Sequence, residues 1–337
     1  MFNEDASDIN ASHSQSSGSF SAQDELRLLK IRLNSGLLFQ VNTPVTTELA
    51  ATIAGWMECG LSGGVVYGEP RLGKTSGIQW ALKQIPALLG FDIHYYLIPL
   101  RDSGANTESQ FFEYLLKIVR HRYASTGNAT VKRSRFTELL CAHASQSPTR
   151  KVVLAFDEAQ NLHDEHYSWM VDLSNEMALE GCSLFLLQFG QTELEGRIKQ
   201  LRASKQNQIV TRFMSDSMKF RGLASAEEIK EVLENLDCTY YPQGALVRFP
   251  ERWLAPLYRA GFSLPSLSEP LWWSFHRAWT SAGLKIACVV PMHSLLGALI
   301  ELFTLYDKNP GISKFSQDHV DFSVAKSAFS SFIDSSK

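Results

Sequence analysis

The segment Gly68-Glu69-Pro70-Arg71-Leu72-Gly73-Lys74-Thr75 constrains this chain more than any other. It fits G-x-x-x-x-G-K-[ST] and sits between an apolar run, Gly64 to Tyr67, and a helix-forming stretch that ends near Leu89. A strand running into a glycine-rich loop and then a helix is the setting in which this pattern cradles phosphates. The glycines let the loop wrap with its N–H groups inward, and the helix N-terminus adds partial positive charge. Lys74 is spaced to reach the β- and γ-phosphates and the Thr75 hydroxyl to complete a magnesium shell. Gly68, Glu69, Pro70, Arg71, Leu72, Gly73, Lys74, Thr75 and Ser76 are therefore expected to bind ATP, with Mg2+ at Thr75.

The second half of such a site is Val152-Val153-Leu154-Ala155-Phe156-Asp157-Glu158, an apolar strand that ends in two adjacent carboxylates. Asp157 is expected to hold magnesium through water, and Glu158 to polarise the attacking water. An apolar strand ending in Asp-Glu is commonplace on its own; the loop upstream gives it meaning. A P-loop kinase also uses a Gly-Lys-Thr loop, but a glutamate beside the magnesium carboxylate favours hydrolysis over transfer to an acceptor.

Around these motifs, short apolar runs alternate with helical stretches: Gly64 to Tyr67, Ile93 to Leu100, Val152 to Phe156 and Leu184 to Phe189. Runs this short and this apolar suit strands buried on both faces of a parallel sheet. The class is α/β, in three layers. Thr43 followed by Pro44 predicts an N-cap and first position of a helix running toward Met57, and Asp24 to Leu33 has helical spacing. After Gly222 the pattern turns helical, beginning with Ala224 to Leu236. With 337 residues the chain suits more than one domain. The division predicted is a Ser-rich disordered tail over 1–22, a nucleotide-binding α/β domain over 23–222, and a helical lid and C-terminal region over 223–337.

The five cysteines are scattered, with no Cys-x-x-Cys pair, and suit a reducing, cytoplasmic setting. The N-terminus carries Glu4 and Asp5 and seven serines by Ser21, without the apolar stretch of a signal peptide. The most apolar long segment, Leu284 to Tyr306, is interrupted by Lys285, Pro291, His293 and Glu301, and reads as a core helix pair, not a membrane span.

Four features together resemble one family. Arg71 lies inside the loop, Phe156-Asp157-Glu158-Ala159-Gln160 follows, then Phe189-Gly190-Gln191-Thr192-Glu193-Leu194, and finally Gln208-Ile209-Val210-Thr211-Arg212-Phe213. Over about residues 40 to 225 the chain resembles the TnsC/TniB family, the AAA+ target-selection ATPases of cut-and-paste transposons, including CRISPR-associated ones. The resemblance implies a P-loop AAA+ core with a helical lid. It also implies a homo-oligomer, a ring or helical filament, that encircles double-stranded target DNA and bridges targeting-complex proteins to the transposase. In AAA+ enzymes a polar residue at the end of the strand between the two motifs senses the γ-phosphate. That role falls to Gln191, with Gln188 next. Arg212 is the favoured arginine finger, reaching in trans into a neighbour's site, with Arg202 in reserve. No convincing second-sensor arginine stands in its usual place, around Gly261 to Ser268.

Local charge supplies the DNA candidates. Between Tyr114 and Thr137 stand Lys117, Arg120, Arg122, Lys132, Arg133 and Arg135 without an acidic residue, in a chain whose net charge is -3. Six cations without a counter-charge suit a sequence-independent phosphate-binding face; a solvated helix face is the plainer alternative. A second basic stretch, Arg197 to Arg221, holds Lys199, Arg202, Lys205, Arg212 and Lys219 against Asp216 alone. The expected function is an ATP-switched, DNA-bound assembly factor for transposition. The rival is an AAA+ loader or remodeller acting on a protein partner without binding DNA.

Overall fold

The computed structural model describes residues 21–34, 41–101, 107–204, 206–241 and 246–336. The expected tail falls outside these up to residue 20, as does Lys205.

Five strands form one parallel sheet: β1 (Gly63–Tyr67), β2 (His94–Pro99), β3 (Lys151–Asp157), β4 (Ser183–Gly190) and β5 (Ser217–Lys219). Their order across the sheet is β2-β3-β4-β1-β5. The apolar runs lie at the centre, where β3 and β4 are buried along almost their whole length. Successive residues sort to opposite faces, as the two-residue period of a strand requires. Val153, Ala155, Phe185 and Leu187 join one hydrophobic cluster, and Val152, Leu154, Leu184 and Leu186 the other. The two clusters are the two faces of the expected three-layer α/β arrangement. β5, with a single apolar residue, carried no sequence signal; pairing with β1 makes it a strand, and at three residues it is a short edge.

The first face is covered by α2 (Pro44–Glu58) and α3 (Lys74–Leu89), and α1 (Ala22–Asn34) adds Leu26, Leu29 and Leu33 to the same hydrophobic cluster. α2 starts as its sequence predicts. Thr43 accepts from the Thr46 N–H, Thr46 returns the bond to the Thr43 N–H, and Pro44 takes the first turn, a cap that stabilises by about 1 kcal/mol. Gly64 is required where α2 meets β1, since a Cβ there would lie 2.4 Å from the Trp56 ring. The second face carries α4 (Glu108–Ile118), α5 (Ala129–Ala144), α6 (Asp164–Leu179), α7 (Glu193–Ala203) and α8 (Asn207–Phe213).

From Ala226 onward the main elements are helices: α9 (Ala226–Asp237), α10 (Glu251–Arg259), α11 (Ser268–Ser281), α12 (Met292–Lys308), α13 (Gln317–Lys326) and α14 (Phe329–Ser335). Leu233, Trp253, Phe275 and Phe303 of this region belong to the same cluster as the first face of the sheet, so the helical part is packed onto the nucleotide-binding layer. The expected helix pair within Leu284 to Tyr306 is instead a connection followed by the single helix α12. Pro291, which has no N–H to donate into a helix, stands at its N-cap, and Val290 just before it pairs with Leu223 in both directions, at 2.9 and 2.8 Å. No helix among the described residues is long and apolar enough to cross a membrane.

Candidate active site

Because β4 lies between β1 and β3, the loop after β1, the carboxylates at the end of β3 and the turn after β4 meet at the C-terminal end of the parallel strands. Gly68 to Ser76 form a continuous loop and first turn of α3. Arg71 and Gly73 both have positive φ, 64° and 94°, which turns successive N–H groups toward one side as an anion-binding concavity requires. Gly68 itself admits no side chain, since a Cβ would lie 2.3 Å from the Phe220 carbonyl oxygen.

Lys74 Nζ donates to the Gly68 and Glu69 carbonyl oxygens, each at 2.7 Å. Burial lowers its pKa, opposed by the nearby charges of Glu158 and Asp157. Thr75 Oγ1 donates to Asp157 Oδ2 at 2.8 Å, so the two expected magnesium ligands are already adjacent. Burial raises the Asp157 pKa, and the Thr75 hydrogen bond works the other way. A buried carboxylate with a hydroxyl oxygen beside it is a hard-donor pair that suits Mg2+; held there, the ion would neutralise charge developing on a phosphoryl group. Glu158 follows at φ 58°, ψ 44°, a left-handed conformation that costs a non-glycine residue about 1–3 kcal/mol and concentrates at functional sites. Its carboxylate accepts from Gln160 Nε2, and Gln160 Oε1 accepts from the Gln191 N–H at 3.1 Å.

The backbone of Gln191, the expected γ-phosphate sensor, is thus linked through Gln160 to the expected catalytic carboxylate. The reserve residue, Gln188, is fully buried: its amide oxygen accepts from the Tyr167 hydroxyl and its amide nitrogen donates to the Phe213 carbonyl. Gln160, in sequence only part of the Phe156-to-Gln160 motif, joins the Asp157–Glu158 strand end to the turn after β4.

Beside the loop opens a cavity of about 850 Å³ lined by Thr46, Arg71, Gly73, Trp80, Phe220 and His293, among others, a size that suits a small-molecule ligand. The helical region reaches this cavity through Val290 to Ser294, Leu296 and the Ala328, Ser331 and Phe332 side of its C-terminal helix, and not through Gly261 to Ser268, none of which lines it. The usual second-sensor place is thus not where the helical region meets the cavity. The Leu223–Val290 pairing that closes the wall depends on tertiary contact alone and had no sequence signal. Burial lowers the His293 pKa, and the Arg71 charge adds to the effect.

The remaining candidates are dispersed. Arg212 on α8 donates to Asn175 Oδ1 at 2.7 Å and to the Val171 carbonyl at 3.4 Å, both on α6 and neither in the phosphate-binding loop or the Asp157–Glu158 pair. Arg202 is exposed on α7. In the second basic stretch Arg197 pairs with Asp164, Lys199 with Glu195, and Arg221 with Glu228 and Glu48.

The first basic stretch is not the uncompensated face that its sequence suggests. Folding brings acidic residues from outside the stretch against it. Lys132 is buried and bonded to Glu113 Oε2 and Ser109. Lys117 takes the other oxygen of Glu113, and hydrogen bonds from Lys117 and Lys132 hold that carboxyl down to about 2. Arg133 is shared among Glu108, Asp172 and Glu176. Arg135 donates to the Tyr123 and Thr126 carbonyls, with its guanidinium 5.9 Å from the Tyr123 ring centroid. Arg120 and Arg122 are exposed in the connection between α4 and α5.

A five-stranded parallel sheet in this order, a phosphate-binding loop after β1, adjacent carboxylates at the end of β3 and a helical region beyond define the P-loop AAA+ fold. Residues 61–198 match the AAA domain family. Among solved structures the chain is similar to the ORC2 protein of Aeropyrum pernix, described with ADPNP and ADP. The identity is 12% and the TM-score 0.54, covering 87% of this chain and 70% of that one. It is also similar to Cdc6p of Pyrobaculum aerophilum at 12% identity and a TM-score of 0.50, covering 84% of this chain and 67% of that one. No curated protein matches the sequence.

Proposed function

We propose that the protein is an ATPase that assembles as an oligomer on double-stranded DNA and, as the resemblance of its motifs to the TnsC/TniB family implies, links a targeting complex to a transposase. The observation that carries the ATPase reading is the meeting of Lys74, Thr75, Asp157 and Glu158 at the C-terminal end of the parallel strands, tied together by the Thr75–Asp157 hydrogen bond. Lys74 leaves its two carbonyl partners to contact the β- and γ-phosphates, and Thr75 and Asp157 hold Mg2+. Glu158 takes a proton from the water whose oxygen bonds to the γ-phosphorus, as the bond to the departing ADP oxygen breaks. That the similar ORC2 structure contains ADPNP and ADP supports nucleotide binding here.

Arg212, tied to α6 away from its own loop, completes a neighbour's site, so that ATP between protomers holds the assembly and hydrolysis dismantles it. Arg120 and Arg122 contact the DNA backbone without reading bases. Electron microscopy with duplex DNA and a slowly hydrolysed ATP analogue tests the whole reading. Rings or filaments threaded by DNA are expected, and oligomers indifferent to DNA would contradict it. The neutralisation of Lys132 and Arg133 by carboxylates favours the second reading, a loader or remodeller of a protein partner; stimulation of ATP turnover by DNA separates the two.

A further inference from the structure

We infer that Gln160 is a positioning residue that sets the orientation of Glu158 and ties it to the phosphate-binding loop through the peptide unit between Gly190 and Gln191. This rests on the reading of Glu158 as the group that acts on water.

The argument begins with the turn after β3. Ala159 is fully buried in the second-face cluster, and a 3₁₀ turn over Ala159–Asn161 is closed by Asn161 N–H to Glu158 O and Leu162 N–H to Ala159 O, each at 3.0 Å. With the backbone fixed on both sides, the Glu158 and Gln160 side chains lie against each other. The Gln160 amide then uses both of its ends. Its nitrogen donates to Glu158 Oε2 and its oxygen accepts from the Gln191 N–H. The opposite amide orientation would set oxygen against carboxylate and N–H against N–H, so the partners define which end is which.

The peptide that Gln160 accepts from has a second bond. Its carbonyl, Gly190 O, accepts from the Gly68 N–H at 3.2 Å. The carbonyl of residue 190 and the N–H of residue 191 belong to one planar unit that turns as a body. Movement of the first loop residue therefore turns the N–H that holds Gln160, and Gln160 in turn orients the carboxylate. Gly190 is what allows this approach: a Cβ there would lie 2.3 Å from Gln160 Oε1. A hydrogen-bonded path thus runs from Gly68 through the 190–191 peptide and Gln160 to Glu158, without passing through bound nucleotide.

The test uses the full chain and separates binding from turnover. Gln160→Met keeps bulk and removes both hydrogen bonds. It is expected to leave the dissociation constant for a fluorescent ATP analogue within about twofold and to lower kcat by about tenfold or more, the scale on which a misplaced general base loses rate. Gln160→Glu keeps the acceptor for Gln191 but puts a carboxylate where a donor stood, so its kcat should be as low or lower. In single-turnover measurements on the Glu158→Gln background, adding Gln160→Met should change nothing further, because a residue that acts through the carboxylate has nothing left to position. An unchanged kcat, a loss confined to binding, or an equal further loss on the Glu158→Gln background would each overturn the assignment. If wild type hydrolyses ATP and Glu158→Gln does not, while Gln160→Met turns over normally, only this inference falls. If wild type does not hydrolyse ATP, the functional reading falls and this inference with it.

Discussion

Thr75 Oγ1 and Asp157 Oδ2 stand 2.8 Å apart although 82 positions of chain separate them. One residue opens the helix after β1 and the other closes β3, and only the insertion of β4 between those strands sets the spacing at which they meet. Two oxygens that a divalent ion would share are thus brought together by the sheet topology, and a buried acid is left at the centre of the site.

That buried acid has a stability consequence. Burial raises the Asp157 pKa above its ordinary value, so ionising it costs more in the folded chain than in the unfolded one. Its stabilising contribution is complete below the unfolded value and is lost as pH rises through the folded one. Asp157→Asn removes the charge yet keeps both contacts, with oxygen accepting from Glu158 N–H and nitrogen donating to the Thr75 hydroxyl. It should raise the Tm of the nucleotide-free protein at neutral pH by roughly 1–3 °C while weakening magnesium-dependent ATP binding. The gain in Tm should shrink as pH falls through the acidic range. A Tm lowered at neutral pH would contradict the assignment of Asp157 as a destabilised charge. Thermal melts at several pH values measure it.

Arg212→Ala should leave nucleotide binding intact, since its α6 partners lie outside its own site, and the proposed supply of its charge in trans predicts that turnover is abolished. Mixing Arg212→Ala with Lys74→Ala creates some interfaces that pair an intact loop with an intact finger. Partial recovery of ATP turnover is expected. Mixtures that demonstrably co-assemble and stay inactive would argue against a trans role.

For DNA, the exposed pair is the one to change. Replacing Arg120 and Arg122 with Ala should weaken binding to duplexes of any sequence equally and flatten the dependence of log affinity on log salt by about 1.8, roughly 0.9 per phosphate contact. Lys132→Ala, by contrast, deprives Glu113 and Ser109 of a buried partner and should lower Tm by several degrees with little direct effect on DNA. Salt titrations and melts of the two variants distinguish surface from structure.

What the sequence made legible follows from how local each signal is. The phosphate-binding loop, the Asp157–Glu158 strand end and the Thr43–Pro44 helix start are written within a few consecutive residues, and the structure places all three as expected. β5, the Leu223–Val290 pairing and the cavity wall at His293 arise from contacts between distant segments, which no local pattern encodes. The pairing of half the cations in the 114–137 stretch was hidden for the same reason. Lys117, Lys132 and Arg133 are paired with Glu108, Glu113, Asp172 and Glu176, and those carboxylates lie outside the stretch. Gln160 could have been noticed as an amide two residues after a glutamate at a strand end, but its partner at Gln191 needed β4 to lie beside β3.

The central claim is that Glu158 acts on water at a site built by Lys74, Thr75 and Asp157. The most direct measurement is ATP binding and single-turnover hydrolysis by wild type and Glu158→Gln side by side. The amide keeps the shape of the carboxylate but cannot take a proton. The account predicts ATP and magnesium binding within about twofold of wild type, a fall in hydrolysis of about a hundredfold or more, and assemblies on DNA that persist longer. Hydrolysis at the wild-type rate by Glu158→Gln would contradict it.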